Sequence, residues 1–118
     1  MIITIFQTIK DTSAPFHKDV ISVLARVKNG SSKDLVKRIR SEASKSDRNE
    51  LKKLLPAICF SGTFNKRNDS AIIEHSGLIC LDFDGYNSKK ALMEGKDTLS
   101  KDKFVFSVFV SPSDNGLK

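Results

Sequence analysis

The sequence predicts an α/β (α+β) fold in which a helical N-terminal half packs on a mixed β-sheet. In the first half, apolar residues recur at the spacing of one helix face. After Pro56 the pattern changes to short runs of β-branched and aromatic residues, which are typical of strands. The length of 118 residues suits one domain. We therefore expect a single domain with a basic helical part at 1–56 and a sheet part at 57–118.

The first half is predicted to contain one strand, one turn and three helices. The strand and turn rest on a β-branched terminal run and a cluster of turn residues, and the helices on apolar spacing and capping residues. In order, these elements are a strand at 2–7, a turn at 11–15, a helix at 16–27 stopped by Lys28-Asn29-Gly30, a helix after Ser31-Ser32-Lys33-Asp34, and a helix from Asp47 to 55. Short strands are then expected at 57–60 and from residue 72 onward.

The second half is organised around an apolar run at 78–81, which ends in Asp82 and Asp84. So short a run of branched side chains between glycines predicts a fully buried strand. Side chains alternate along a strand, so the two carboxylates would share one face about 7 Å apart. They would repel each other unless a cation lay between them, and Mg²⁺ or Mn²⁺ prefers such oxygen ligands. The alternative is an ordinary turn at the end of a strand.

A helix and a further strand follow this run. Ser88 is expected to cap a helix that Gly95 interrupts, and the apolar segment 104–110 predicts a strand. The order strand, helix, strand predicts a right-handed crossover between neighbouring parallel strands. Asp84 and Ser111 would then lie at the same carboxyl edge of the sheet, where α/β proteins bind ligands.

The last eight residues form a second candidate site. Hydroxyl groups and free backbone N–H groups in a turn of this composition can bind phosphate oxygens, and a lysine can add a positive charge. The candidate phosphate-binding residues are Ser111, Ser113 and Lys118. The same sequence is also compatible with an ordinary surface turn.

The charge of the chain is uneven. Twenty Lys and Arg oppose 14 acids, and the whole excess of +6 lies in residues 1–56. This distribution suits a polyanion such as nucleic acid, although basic residues are also common on solvated helices. The candidate nucleic-acid-binding residues are Lys33, Lys37, Arg38, Arg40, Lys52 and Lys53.

The cysteines, the start of the chain and the lengths of its apolar stretches predict the compartment of the protein and whether it enters a membrane. Cys59 and Cys80 lie in apolar runs without metal-ligand spacing, which is typical of reduced core thiols. The start of the chain lacks the basic segment of a signal peptide, and no apolar stretch reaches membrane-spanning length. We expect a cytoplasmic protein that does not enter a membrane.

Three segments taken together resemble the VirE N-terminal domain family, which is similar to the primase-polymerases of the archaeo-eukaryotic primase superfamily. They are LPAICFSGTF at 55–64, HSGLICLDFDG at 75–85 and FVSPSDNGLK at 109–118. The resemblance implies a partial primase-like catalytic core from a bacterial, phage or mobile-element replication protein, often fused to a helicase. The implied partners are nucleoside triphosphates and a single-stranded DNA template.

The resemblance also implies roles for individual residues. Asp82 and Asp84 would be catalytic metal ligands for Mg²⁺ or Mn²⁺, and Ser111, Ser113 and Lys118 would contact the nucleotide's phosphates. Many members of the superfamily have His where this chain has Lys118, and the third acidic motif has no counterpart here. The chain would therefore be a fragment of a primase-like nucleotidyltransferase that joins nucleotides only in its intact parent.

Two alternatives come from other function classes. A non-catalytic DNA- or partner-binding module would use the basic helices alone, with an affinity that falls steeply with salt. A haloacid-dehalogenase-like phosphatase would use Asp82 as nucleophile and Asp84 as general acid. Against the phosphatase, Tyr86 stands where that family has Thr, and little chain follows for its later motifs.

Overall fold

A computed structural model describes residues 1–118 and has an α+β fold with four helices and two small antiparallel sheets, which confirms the predicted class. The elements are β1 (Ile2–Phe6), β2 (Phe16–Asp19), α1 (Val20–Lys28), α2 (Lys33–Ser41), α3 (Lys45–Lys52), β3 (Ala57–Cys59), β4 (Gly62–Phe64), β5 (Ile72–His75) and α4 (Lys89–Ser100). The chain divides into two compact units, Met1–Cys80 and Leu81–Lys118. None of the helices combines the length and the apolar character needed to cross a membrane.

Both sheets belong to the Met1–Cys80 unit. The first has the order β2-β1-β3, and β1 pairs antiparallel with both neighbours. The second consists of β4 and β5, which are also antiparallel. The single mixed sheet with parallel neighbours that the sequence predicted is therefore not formed.

The core of this unit lies between β1 and α1. Ile3, Val20 and Val23 are almost completely buried there. Partly buried apolar side chains surround them, and these are Ile5, Leu24, Ile58, Phe60 and Leu78. The predicted strand at residues 2–7 is thus confirmed as a central strand of its sheet, with one apolar face towards the core.

Helix α1 begins at Val20, four residues later than the apolar spacing predicted. Residues 16–19 instead pair with β1 as strand β2. Asp19 ends that strand and caps the helix, because its carboxylate accepts a hydrogen bond of 3.0 Å from the Ile21 backbone N–H. The predicted stop is confirmed: Asn29 is the C-cap and Gly30 adopts a left-handed φ of 73°.

Helix α2 presents the face that its sequence predicts. Ile39 is fully buried and Leu35 and Val36 are partly buried, whereas the basic side chains are exposed. Helix α3 begins two residues before Asp47, because the Ser44 side chain rather than Asp47 caps it. Asp47 lies in the first turn, where a carboxylate still interacts favourably with the helix dipole.

The predicted buried strand at 78–81 is wrong. After β5 the chain turns at Gly77, which has a left-handed φ of 82°, and residues 77–82 pair with no strand. Ile79 is 79% exposed and Leu81 is 54% exposed. An apolar run becomes a buried strand only where neighbouring strands and a covering layer exist, and these partners are set by tertiary structure.

The predicted strand at 104–110 is also wrong. Phe104 is 84% exposed, and no strand forms over this segment, although Val110 bridges Leu117 and Phe109 exchanges two backbone hydrogen bonds with Lys118. Helix α4 is capped by Ser88 as predicted, but it runs through Gly95 without interruption. The predicted parallel strands on either side of this helix are therefore absent.

Candidate functional site

Segments from both ends of the Leu81–Lys118 unit meet at Leu117, which is 1% exposed. The backbone groups of Phe83 and Leu117 exchange two hydrogen bonds of 2.9 and 2.8 Å. Lys118 and Phe109 exchange two of 2.9 Å in the same way. The Leu117 segment therefore lies between the segment that carries the two aspartates and the segment that leads to Ser111.

This arrangement partly corrects the predicted geometry. Phe83 and Val110 each bridge Leu117 antiparallel, so their two segments run in the same direction without being neighbours. Asp84 and Ser111 are brought to one region by the intervening Leu117 segment rather than by a parallel strand pair.

The last residues fold into a tight turn between Ser111 and Gly116. The Ser111 N–H donates to the Gly116 carbonyl at 2.8 Å, and the Asp114 N–H donates to the Ser111 carbonyl at 3.0 Å. Asp114 adopts a left-handed φ of 62°, which aspartate tolerates better than most residues. The turn positions two serine hydroxyls, and the Ser113 hydroxyl is buried with no protein hydrogen-bond partner.

Asp82 and Lys118 form an ion pair in which Nζ lies 2.5 Å from Oδ1. The two residues are 36 positions apart in the chain, and the hydrogen bonds at Leu117 bring them together. The Asp82 side chain is 56% exposed and that of Lys118 is 35% exposed. The carboxylate predicted as a metal ligand and the ammonium predicted as a phosphate contact thus neutralise each other.

Asp84 lies against Gly116. A methyl group added to Gly116 would come within 2.6 Å of the Asp84 Oδ1 atom and 2.9 Å of the Phe83 carbonyl oxygen. The same methyl position is 3.4 Å from the Ser111 hydroxyl oxygen. The absence of a side chain at Gly116 therefore lets the Asp84 carboxylate and the Ser111 hydroxyl approach the same point of the turn.

A second lysine, Lys89, adds a positive charge to the cluster. Lys89, the first residue of α4, places Nζ 2.9 Å from the Asp114 Oδ1 atom. The cluster therefore contains three carboxylates and two ammonium groups. Its members are Asp82, Asp84, Asp114, Lys89 and Lys118.

The predicted metal-binding centre is not formed. No three His, Cys, Asp or Glu side chains are grouped so that they could hold a metal ion. The predicted metal ligands are Asp82 and Asp84, and the Lys118 ammonium already contacts one carboxylate oxygen of Asp82. A resident ion held by protein ligands alone does not fit these residues, because such ions need more oxygen ligands than two carboxylates supply.

The predicted nucleic-acid-binding residues lie on the other unit. Lys33, Lys37 and Arg38 are exposed on α2, on the side away from Ile39. Lys53 instead pairs with Glu50 at 2.7 Å, and this hydrogen bond and charge hold the pKa of Glu50 below its usual value. Arg40 is exposed and Lys52 is partly buried.

The two cysteines do not contribute to the cluster. Cys59 lies in β3, where burial raises the pKa of its thiol despite the nearby charge of Arg67. Cys80 is exposed, contrary to the expectation that both cysteines are core thiols.

The predicted site did not include two members of the cluster, Lys89 and Asp114, or the adjacent Gly116. Lys89 follows the recognisable cap residue Ser88, so its place at the start of a helix could have been predicted. Its partner Asp114 could not, because the two are 25 positions apart. The sequence marked Gly116 only as one residue of a predicted turn. Its close contact with Asp84 could not be predicted, because it depends on the pairing of Phe83 with Leu117.

A comparison with protein families corrects the resemblance drawn from the sequence. The family model that matches residues 50–118, more than half of the chain, is described as BT4734-like, N-terminal domain. This is not the VirE N-terminal domain family, so that assignment is wrong, and the primase and nucleotidyltransferase functions inferred from it lose their support. No curated protein and no solved structure matches the chain.

Proposed function

We propose that the Leu81–Lys118 unit of this chain, which belongs to the BT4734-like, N-terminal domain family, binds the phosphate groups of a nucleoside triphosphate. The Mg²⁺ or Mn²⁺ ion arrives with the nucleotide rather than residing in the protein. The observation that carries the proposal is the Asp82–Lys118 ion pair in the same cluster as the Ser111–Gly116 turn. A cytoplasmic protein would meet such metal–nucleotide complexes continually.

The charge of the cluster supports a complex of cation and phosphate over either one alone. The Asp82 and Asp84 carboxylates and the Lys118 ammonium sum to one negative charge, which disfavours a free polyphosphate. A divalent cation that enters with the phosphates reverses this sign. The carboxylates of Asp82 and Asp84 can then share the cation with phosphate oxygens and water, which is how Mg²⁺ is commonly held in proteins.

The turn supplies groups suited to phosphate oxygens. The buried Ser113 hydroxyl has no protein hydrogen-bond partner, and a buried polar group without one is costly to the fold. A small shift of the turn would let this hydroxyl donate to a phosphate oxygen. Lys118 and Lys89 can each add one charge-assisted hydrogen bond.

Isothermal titration calorimetry tests this proposal with ATP as the probe, in Mn²⁺ and in EDTA. We expect wild-type protein to bind ATP in Mn²⁺ and not in EDTA. Asp84→Asn should weaken binding about tenfold, because the loss of one charged ligand is comparable to the loss of a charge-assisted hydrogen bond. Asp97→Asn is the matched control, because Asp97 lies on α4 and pairs with Lys101.

Equal affinity in Mn²⁺ and EDTA would show that the cation has no part in binding. Equal ATP affinity of wild type and Asp84→Asn would show that the Asp84 carboxylate takes no part in binding. Either result contradicts the proposal, provided that Asp97→Asn binds as wild type does.

A second candidate function is binding of single-stranded DNA by α2. It is favoured by the exposure of Lys33, Lys37 and Arg38 on one helix whose opposite face holds buried Ile39. Non-specific affinity for DNA comes from phosphate contacts by such residues. This surface belongs to the Met1–Cys80 unit, so variants can test it independently of the nucleotide site.

A further inference from the structure

We infer that Lys118 is a built-in counter-ion of Asp82, and that it makes binding of the divalent cation depend on binding of phosphate. The inference deepens the proposed function and rests on it in one respect, the identity of the phosphate ligand. The structure differs from the predicted metal site, because the Lys118 ammonium group pairs with the Asp82 carboxylate.

The position of Lys118 is fixed by its backbone. Its N–H donates to the Phe109 carbonyl and its carbonyl accepts from the Phe109 N–H, both at 2.9 Å. The adjacent Leu117 is buried and bridges Phe83, one residue from Asp82. The Lys118 side chain therefore leaves the backbone beside Asp82, and its ammonium lies 2.5 Å from that carboxylate.

An ammonium in this place opposes a divalent cation in two ways. It occupies the Oδ1 atom of Asp82, and its positive charge repels a cation that approaches the remaining oxygens. With Asp82 neutralised, only Asp84 offers an uncompensated carboxylate in the pair. Mn²⁺ alone should consequently bind wild-type protein weakly.

A phosphate group changes this balance because it offers the ammonium another anion. The Lys118 stem is flexible and its Nζ is partly exposed, so the ammonium can move from the carboxylate to a phosphate oxygen. Asp82 is then free to ligate the cation that the phosphate brings. By thermodynamic linkage, ATP raises the affinity for Mn²⁺ by the same factor as Mn²⁺ raises the affinity for ATP.

The experiment measures Mn²⁺ binding without nucleotide, from the electron paramagnetic resonance signal of free Mn²⁺. We expect Lys118→Met to bind Mn²⁺ about tenfold more tightly than wild type, because a neighbouring like charge has been removed. Lys118→Arg keeps the charge and should remain as weak as wild type. Lys101→Met is the control, since it removes an exposed lysine whose ion pair with Asp97 lies on α4.

A second titration adds ATP to each protein. ATP should raise the Mn²⁺ affinity of wild type by a larger factor than that of Lys118→Met, in which the carboxylate is already free. Circular dichroism checks that each variant is folded, and Lys118→Gln replaces Lys118→Met if the methionine variant is not.

The outcomes separate the two proposals. If the neutral variant binds Mn²⁺ no better than wild type, or if Lys118→Arg gains as much as Lys118→Met, the counter-ion inference is overturned. If the neutral variant gains Mn²⁺ affinity but wild type binds no ATP in Mn²⁺, Lys118 opposes the cation as inferred, whereas the nucleotide proposal and the coupling to ATP both fail.

Discussion

Thr4 shows at the scale of one residue how a polar group holds the Met1–Cys80 unit together. Its side chain is completely buried. The hydroxyl accepts a hydrogen bond of 2.9 Å from the Phe64 backbone N–H and lies 2.9 Å from the His17 Nδ1 atom. It thereby connects β1 with β4 of the other sheet.

We predict that Thr4→Val destabilises the protein by about 1–3 kcal/mol, because the partly buried Phe64 N–H loses its acceptor while the side-chain shape is kept. Urea unfolding followed by circular dichroism measures the change. Thr4→Ser retains the hydroxyl and serves as the control for the hydrogen bond. A Thr4→Val protein as stable as wild type would show that this hydrogen bond contributes nothing net.

At the same scale, the residue types of the candidate site could be predicted from the sequence, but their contacts with one another could not. The residue types of Asp82, Asp84, Ser111, Ser113 and Lys118 already predicted charge-assisted chemistry. Their roles in binding remain predictions. The partner of Asp82 could not be predicted, because a carboxylate between possible cations binds whichever the fold places nearest.

Helix α4 shows at the scale of an element why a glycine need not interrupt a helix. Glycine in a helix costs about 1 kcal/mol relative to alanine, and this penalty motivated the expected break at Gly95. In the structure the Tyr86 ring lies across Gly95, and an added methyl group would come within 2.5 Å of the Tyr86 hydroxyl oxygen and 2.9 Å of two ring atoms. The absence of a side chain at Gly95 therefore leaves the space that the Tyr86 ring occupies.

A double-mutant cycle tests this packing. Gly95→Ala should stabilise the Tyr86→Ala variant by about 1 kcal/mol through helix propensity alone. In the presence of Tyr86, the same substitution should give less than this gain or a loss, because the ring must move. Urea unfolding of the four proteins gives the coupling energy. Strict additivity would show that Tyr86 and Gly95 do not constrain each other.

The two wrong strand predictions also belong to this scale. The segments 78–81 and 104–110 have the branched and aromatic composition of strands, yet Ile79 and Phe104 are among the most exposed apolar residues. Strand propensity largely reflects packing against neighbouring strands. Neither segment is paired with a neighbouring strand along its length, so the strand propensity of its residues does not produce a strand.

At the scale of the whole molecule, the uneven charge is the property that sequence and structure share. Residues 1–56 carry the entire surplus of +6, and these residues lie within the Met1–Cys80 unit. The exposed bases of α2 are part of that surplus. We therefore expect a nucleic acid to bind this unit rather than the Leu81–Lys118 unit, whose six bases and six acids are equal in number.

We predict that single-stranded DNA binds with an affinity that falls steeply with salt, as measured by fluorescence anisotropy of a labelled oligonucleotide. Replacing Lys33, Lys37 and Arg38 with Gln should lower the slope of log K against log salt by about 2, or roughly 0.7 for each lost phosphate contact. The control replaces Lys96, Lys101 and Lys103, which removes equal charge from the other unit. Equal losses in both triple variants would attribute binding to net charge instead of α2.

Sequence alone determined the α+β class, strand β1, the amphipathic face of α2, the Ser88 cap and the residue types of the candidate site. These features depend on contacts within a few residues, where spacing and capping chemistry are visible in the chain. Only tertiary structure decided that residues 16–19 pair with β1, that two apolar segments remain outside any sheet, and that Lys118 occupies Asp82. Each of these depends on which distant segment competes successfully for a backbone edge or a charge, and no local pattern encodes that competition.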